Sequence, residues 1–358
     1  MVNRKLGLGR ARTYWNKKPA KLWRIFALVV VAGLLLARYG VSVIIQNYNS
    51  QTTTTRFNSA IQNYTSQLGN HFEIYANTLY SARALWLTSP AVSRQDWFTF
   101  VDAQNIKQRY PAVYALSYAQ VINRGQIDDL TRQLNDNRLP DENNKISIYP
   151  ANPKDQLVVV TYIAPRNISQ KNIGYDLLSS PVRSQDLYAA RDSGLPQASA
   201  PLLLLSDPQN SPPSLLIAMP IYKSSSSLAT VAERRSALTG FAILGLHTKP
   251  MMDAVFKAPD GYSPIAVTVK AGQQVIYKTG STPAGQAMRK TVTINVAGQY
   301  WLLDFRAPND YGLNSTAKLT PVILRWSIVP FGLVLLILLY FLINLQAFRE
   351  QSLKGKNN

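Results

Sequence analysis

The stretch "NIGYDLLSSPVRSQDLYAARDSG", Asn172 to Gly194, spells out a turn, an acidic residue and a short helix with marked ends. Gly174 suits a backbone angle that other residues resist, and Asp176 follows two positions later. Ser180-Pro181 reads as an N-cap with a proline in the first turn, and Gly194 as the stop. A segment so firmly written predicts a fixed piece of structure, and its neighbours on both sides predict strands.

Upstream, "AVYALSYAQVI" (112–122) alternates enough to be a strand, "ISIYPA" (146–151) reads as another, and "LVVVTYIAP" (157–165) is a nearly continuous β-branched run suited to a buried position. "SRQDWFTFVDAQNIKQRYP" (93–111) predicts a helix capped by Ser93 and ended by Pro111, and "QIDDLTRQLNDNRLPDENN" (126–144) a helix fading into a polar loop. Downstream, "LLLLS" (202–206), "SLLIAMPIYK" (214–223) and "LTGFAILGLHTK" (238–249) read as strands, with a short helix closing over Ala254 to Asp260. Glu233-Arg234-Arg235 predicts a salt-bridged surface helix. After Gly261 two hairpins are expected, turning at Ala271-Gly272 and at Ala297-Gly298. Further upstream Phe57, Ile61, Tyr64, Leu68, Phe72, Tyr75, Leu79, Ala82 and Leu85 step by three and four. That spacing predicts one long helix with an apolar stripe, packed on its own domain or partly on a second copy. The fold class is α+β: a long N-terminal stalk helix followed by two antiparallel sheets in tandem.

The ends place this unit. "WRIFALVVVAGLLLARYGVSVII", Trp23 to Ile45, is long enough to cross a bilayer core of about 30 Å. Arg38 is its flaw, costing about 2.5–3.5 kcal/mol at a span's centre, but it lies past the centre and can snorkel outward. Eight Lys/Arg and no acid precede Phe26, which marks a cytoplasmic flank rather than a nucleic-acid arm, despite a net charge of +19. A cleaved signal peptide competes, but the n-region is long and no small-x-small site is followed by a clear change of character. "WSIVPFGLVLLILLYFLINL", Trp326 to Leu345, is a second uncharged run. Two crossings put both termini in the cytoplasm and the region from about 46 to 321 outside.

Four stretches, "WFTFVDAQNIKQRYPAVYALSYAQVI", "IGYDLLSSPVRSQDLYAARDSG", "MPIYKSSSSLATVAERRSALTGFAILGL" and "GQYWLLDFRAP", occur in that order between the flanking apolar runs. Together they resemble the CHASE domain, the extracytoplasmic sensor of certain histidine kinases and cyclic-nucleotide cyclases, the plant cytokinin receptors among them. The resemblance covers about residues 50 to 310. It implies two PAS-like lobes with ligand in the membrane-distal one. The expected organisation is a basic cytoplasmic segment (1–22), a span (23–45), the stalk (46–92), the distal lobe (93–260), a smaller proximal lobe (261–320), a span (322–345) and a short cytoplasmic tail (346–358). Aligned on Ile173-Gly174-Tyr175-Asp176, the aspartate that holds adenine in cytokinin receptors corresponds to Asn167, a pocket threonine to Ser199 and a leucine to Ala189. Asn both donates and accepts where an ionised Asp only accepts, so the departure puts an adenine-like ligand in doubt. Asp176 fixes the turn or pairs with Arg183, while the helix presents Ala189 inward; for Asp176, Arg183 and Arg191 support of the fold is the preferred reading, and for Asn167 and Ser199 support and ligand contact stand level.

Chemistry by other means finds few residues. Cysteine is absent, and neither His71 nor His247 has a second histidine at metal-binding spacing, so no cofactor or metal is expected. No HExxH, GxSxG, P-loop or Rossmann glycine pattern occurs, and the acidic pairs Asp128-Asp129 and Asp141-Glu142 sit in polar, solvated context. The expectation is a non-enzymatic periplasmic small-molecule sensor. It would dimerise through stalk and spans and signal to a separate or missing histidine kinase or diguanylate cyclase. A non-sensory envelope structural or assembly protein with a degenerate pocket is the alternative. A closed, polar-lined pocket of a few hundred Å³ beside the Pro181–Ser193 helix would favour the sensor.

Overall fold

The computed structural model describes residues 18–89, 91–138, 144–166, 172–258, 265–280 and 287–354. Most of the basic N-terminal segment, Asn167, Asp141-Glu142 and the last four residues lie outside them. In chain order the helices are α1 (Lys18–Thr88), α2 (Arg94–Gln104), α3 (Ile106–Arg109), α4 (Ile127–Asp136), α5 (Pro181–Ser193), α6 (Val231–Ala237), α7 (Thr248–Val255) and α8 (Ser315–Lys354). The strands are β1 (Val113–Asn123), β2 (Gln156–Ala164), β3 (Gln197–Ala198), β4 (Ser214–Tyr222), β5 (Leu238–His247), β6 (Ala266–Ala271), β7 (Gln274–Thr279), β8 (Ala287–Val296) and β9 (Gln299–Pro308). They form a five-stranded sheet ordered β2-β1-β5-β4-β3 and a four-stranded sheet ordered β7-β6-β9-β8, every pair antiparallel. The mixed fold with a long N-terminal helix and two antiparallel sheets is the one read from the sequence.

Contacts divide the chain into two compact units, one of residues 58–308 and one formed by both ends. Within the first, the stripe on α1 is buried against its own chain. Ile61, Tyr64, Leu68, Phe72, Tyr75, Leu79 and Ala82 are each at most 9% exposed. Tyr64 stacks on Phe305 and Phe72 meets Trp301, both on β9 of the four-stranded sheet, and Tyr64 also packs edge-on against Phe256 at the end of α7. Farther along, Trp86 stacks on Tyr118 of the five-stranded sheet with ring centroids 3.7 Å apart. One helix therefore backs both sheets. In the second unit the Phe57 and Tyr311 rings meet edge-on, the Asn49 amide donates to the Ala317 carbonyl and the Arg56 guanidinium to that of Gly312, so the first and last helices touch.

The membrane runs fare unequally. Among the described residues one helix, α1, is long and apolar enough to cross a bilayer. Its side chains from Ile25 to Ile44 include a row of exposed large apolar groups. In α8 the described residues give a continuous apolar run only over Val329–Leu338, and the second span expected at Trp326 to Leu345 is not shown.

Several local readings are corrected. The helix expected over 93–111 breaks at Asn105, which adopts a left-handed angle (φ 49°) and separates α2 from α3. "ISIYPA" makes only a single bridge, between Tyr149 and Tyr175, and "LLLLS" only one between Leu202 and Ser214. The helix expected to close over Ala254 to Asp260 instead starts directly after β5, at Thr248.

The run 157–165 is buried although β2 is an edge strand. Leu157, Val159 and Ile163 face α4 through Leu130 and Leu134, while Val158 and Val160 face α5 through Leu187 and Ala190. The open edge itself is covered by the quoted stretch. Gly174 N–H donates to the Val160 carbonyl and Val160 N–H to that of Tyr175, at 2.8 and 3.0 Å. Gly174 is required there: its φ is +88°, and a Cβ would lie 2.1 Å from the Ser147 carbonyl oxygen.

Candidate ligand-binding site

Pro181 opens α5, the Ser180 carbonyl accepts from Ser184 N–H at 2.9 Å, and Gly194 closes it in the left-handed region with its N–H on the Ala190 carbonyl. The Ser180 hydroxyl caps no backbone N–H; it accepts from Arg183 instead. Inward on α5 stand Arg183, Asp186, Leu187 and Ala190, at helical spacing. Ala189 is exposed, so the expectation that it lines the pocket is corrected: it falls on the solvent side of the helix phase.

Two small cavities lie between this face and the sheet. One, of about 50 Å³, is lined by Tyr114, Ser117, Asn172, Arg183 and a set of aliphatic side chains. The other, of about 10 Å³, is lined by Arg183, Asp186, Gln197, Ser199 and aliphatic neighbours. Leu177, Arg183, Leu216 and Ile243 belong to both. Polar side chains line both, but the space is well below the closed pocket of a few hundred Å³ expected beside this helix for a sensor, and that expectation is corrected. A wider cleft of about 560 Å³ opens beside α2, α3 and β1. It ends at Pro165, next to residues outside the description, and Asp186 and Arg183 are absent from its lining.

The electrostatics single out Asp186. It is 7% exposed, one carboxylate oxygen accepts from the Ala200 N–H, and Oδ2 has no hydrogen-bond partner. Burial pushes its pKa up to about 7. Arg183, one turn away, donates to the Leu203 carbonyl at 2.8 Å and lies over the Tyr175 ring. Burial holds its pKa below the usual arginine value. No ion pair joins the two, although such i,i+3 neighbours on a helix can reach each other.

The other residues read from the sequence divide. Ser199 is buried in the smaller cavity, its Oγ accepting from Leu216 N–H at 3.0 Å. Asp176 lines neither cavity and does not meet Arg183. Its Oδ1 accepts from Val158 N–H and Leu178 N–H at 2.9 and 3.0 Å, and its Oδ2 from the Asn152 amide. It fixes the edge-covering turn. Arg191 pairs with Asp192 at the far end of α5. Asn167 lies outside the described residues. Sequence reading missed Asp186, whose signal was an acid on the apolar stripe of a short helix.

The site is also wired to the second sheet. Gln197 sits against the β8–β9 turn, where a Cβ on Gly298 would lie 1.9 Å from its Oε1, and Ala198 N–H donates to the Ala297 carbonyl at 2.7 Å. Elsewhere His247 Nε2 lies 3.1 Å from Asp207 Oδ1, while Asp207 Oδ2 accepts from Leu204 N–H and Ser214 Oγ. That pair ties down a loop. Among the described residues no group of three metal-ligating side chains gathers.

No curated protein matches the sequence. Two solved structures are similar in outline. An extracellular ligand binding receptor from Desulfohalobium retbaense aligns at 8% identity and TM-score 0.40, over 72% of this chain and 39% of its own. The periplasmic sensory domain of the Campylobacter jejuni chemoreceptor Tlp1 aligns at 10% identity and TM-score 0.40, over 74% of this chain and 96% of its own. Neither likeness bears on what this chain binds. The family model described as the CHASE domain matches residues 90–288, more than half of the sequence, and the chain belongs to that family.

Proposed function

We propose that this chain is a membrane-anchored extracytoplasmic sensor that holds a small ligand between α5 and the five-stranded sheet. The supporting observation is the buried Asp186 carboxylate with an idle oxygen, set in a cavity wall beside Arg183. A fold built only for support gains nothing from burying an unpartnered carboxylate, which costs free energy until something fills it. Ligand entry would reposition α5 and β3. The Ala198–Ala297 bond would pass that change to the β8–β9 hairpin, and α1 backs both sheets. A coupling of about 1–3 kcal/mol suffices to bias an output several-fold. In this reading α1 and α8 both cross the inner membrane, the termini are cytoplasmic, two copies pair through stalk and spans, and a histidine kinase or diguanylate cyclase receives the signal.

The test is a thermal-shift screen of the full chain in detergent micelles against adenines, amines, carboxylates and amino acids. A ligand at 100 times its Kd stabilises by roughly 2.7 kcal/mol. A stabilising compound whose effect disappears in Arg183→Ala supports the sensor. Compounds that stabilise both proteins equally, or none at all, favour the structural envelope role. Because the chain has no native cysteine, single cysteines at Ser226 and Ser352 report topology: a membrane-impermeant maleimide should label only the first in intact cells.

A further inference from the structure

Resting on the sensor reading above, we infer that the ligand is a small zwitterion, an α-amino acid of about the size of glycine or alanine. The two cavities differ in chemistry. The smaller is an acceptor end: Asp186 offers an oxygen without a partner, and the Ser199 hydroxyl oxygen stands in the same wall. The larger is a donor end. Arg183 lines it together with Asn172, Ser117 and Tyr114, whose hydroxyl is shared with Ser206 Oγ. A guanidinium carries five N–H donors. Here its partners are the Leu203 carbonyl, the Ser180 hydroxyl and Tyr175, which leaves donors for a ligand.

The charges carry the argument further. Arg183 and Asp186 are one helical turn apart, share the smaller cavity and do not pair with each other. An amine alone satisfies the carboxylate and adds nothing for the guanidinium. A carboxylate alone does the reverse. A zwitterion places an ammonium on Asp186 and a carboxylate on Arg183, and leaves the buried site neutral. The space agrees. Cavities of about 50 and about 10 Å³ hold roughly four to six water-sized groups at about 10–15 Å³ each. Glycine and alanine, the smallest amino acids, fall in that range of heavy atoms, and purines and aromatic amino acids fall outside it.

The experiment is titration calorimetry on the full chain in micelles with glycine, L-alanine, L-phenylalanine, ethylamine, propionate and adenine. Glycine or L-alanine is expected to bind. Ethylamine and propionate should each bind at least 100-fold more weakly, and L-phenylalanine and adenine not at all. Asp186→Asn and Arg183→Gln should each weaken binding at least 100-fold. If a variant fails to fold, the selectivity of the unaltered protein decides alone. Propionate, ethylamine or adenine binding as tightly as alanine, with dependence on Arg183, would overturn the ligand class and leave the sensor standing. Silence from the whole panel overturns the ligand class, and silence in the wider thermal-shift screen as well removes the sensor reading with it.

Discussion

Asp186→Asn removes one charge from the wall of the cavity and keeps its shape. In the unfolded chain this carboxyl titrates near 3.8, and burial in the fold moves it to about 7. Its folded pKa is raised, so the stability it contributes is intact below about pH 4 and is lost progressively as pH climbs through 7. At about 1.36 kcal/mol per pKa unit the full loss is about 4 kcal/mol, and relaxation around the charge leaves about 2 kcal/mol as the working figure. The charged and polar groups facing it are Arg183 on its own helix, Gln197 and Ser199 from the segment beside β3, and the Ala200 N–H. None of them titrates as a carboxylate partner in that window. Asparagine carries no such penalty. Unliganded full chain and variant, melted in micelles, should therefore have similar Tm near pH 3, below the unfolded pKa of 3.8. At pH 8 the variant should melt higher by roughly 4–8 °C, at 2–4 °C per kcal/mol for a unit of this size. Comparing variant with parent at each pH cancels the other carboxylates. A difference in Tm that stays the same from about pH 3 to 8, or a variant that is less stable at pH 8, would refute the reasoning.

Asp176→Ala should destabilise by about 2–5 kcal/mol, since it strips buried acceptors from the Val158 and Leu178 N–H groups; urea unfolding measures it. Gly298→Ala places a methyl on Gln197 and forces a side chain to φ +87°, which should cost about 1–2 kcal/mol and speed amide exchange at Ala198, read by hydrogen-exchange mass spectrometry. Asp192 is held below the usual carboxylate range by hydrogen bonds from Arg235 and Arg191. Its contribution is present above about pH 4 and lost on acidification, so Asp192→Asn should cost about 0.5–1 kcal/mol at pH 7 and less at pH 3, the partly exposed pairs being screened.

The elements with strong periodicity were legible. The α1 stripe, the buried β2 run, and the turns at Ala271-Gly272 and Ala297-Gly298 all follow from spacing and glycine placement. The failures have one physical origin, which is that a strand needs a partner as well as a pattern. "LLLLS" is apolar, yet Leu202 alone reaches Ser214. "ISIYPA" meets Gly174–Asp176 as they cross at one residue, so its alternation extends no ladder. Asn105 broke a helix because asparagine tolerates the left-handed region, a tendency that propensity alone does not place. The site was half legible. The helix and Arg183 could be read, but the phase of α5 could not: one position of rotation puts Ala189 in water and Ala190 in the core.

Two aspartates ten residues apart show how this stretch divides its labour. Asp176 is fully buried and fully bonded, with two backbone N–H groups and an amide on its oxygens. Asp186 is nearly as buried and is left with an oxygen unused. Both are the same side chain on the same segment, so composition and burial do not distinguish them; only the partners do. Satisfying a carboxylate within the fold makes it rigid and silent. Leaving one oxygen unsatisfied beside Arg183, which is bonded to the Leu203 carbonyl and the Ser180 hydroxyl, is an unfavourable term that, on the sensor reading proposed above, a cationic group of the ligand would release. On the zwitterion proposal, a molecule bearing both charges would satisfy Asp186 and Arg183 together, whereas an amine or a carboxylate alone would satisfy one of them, and that difference is what would discriminate among ligands.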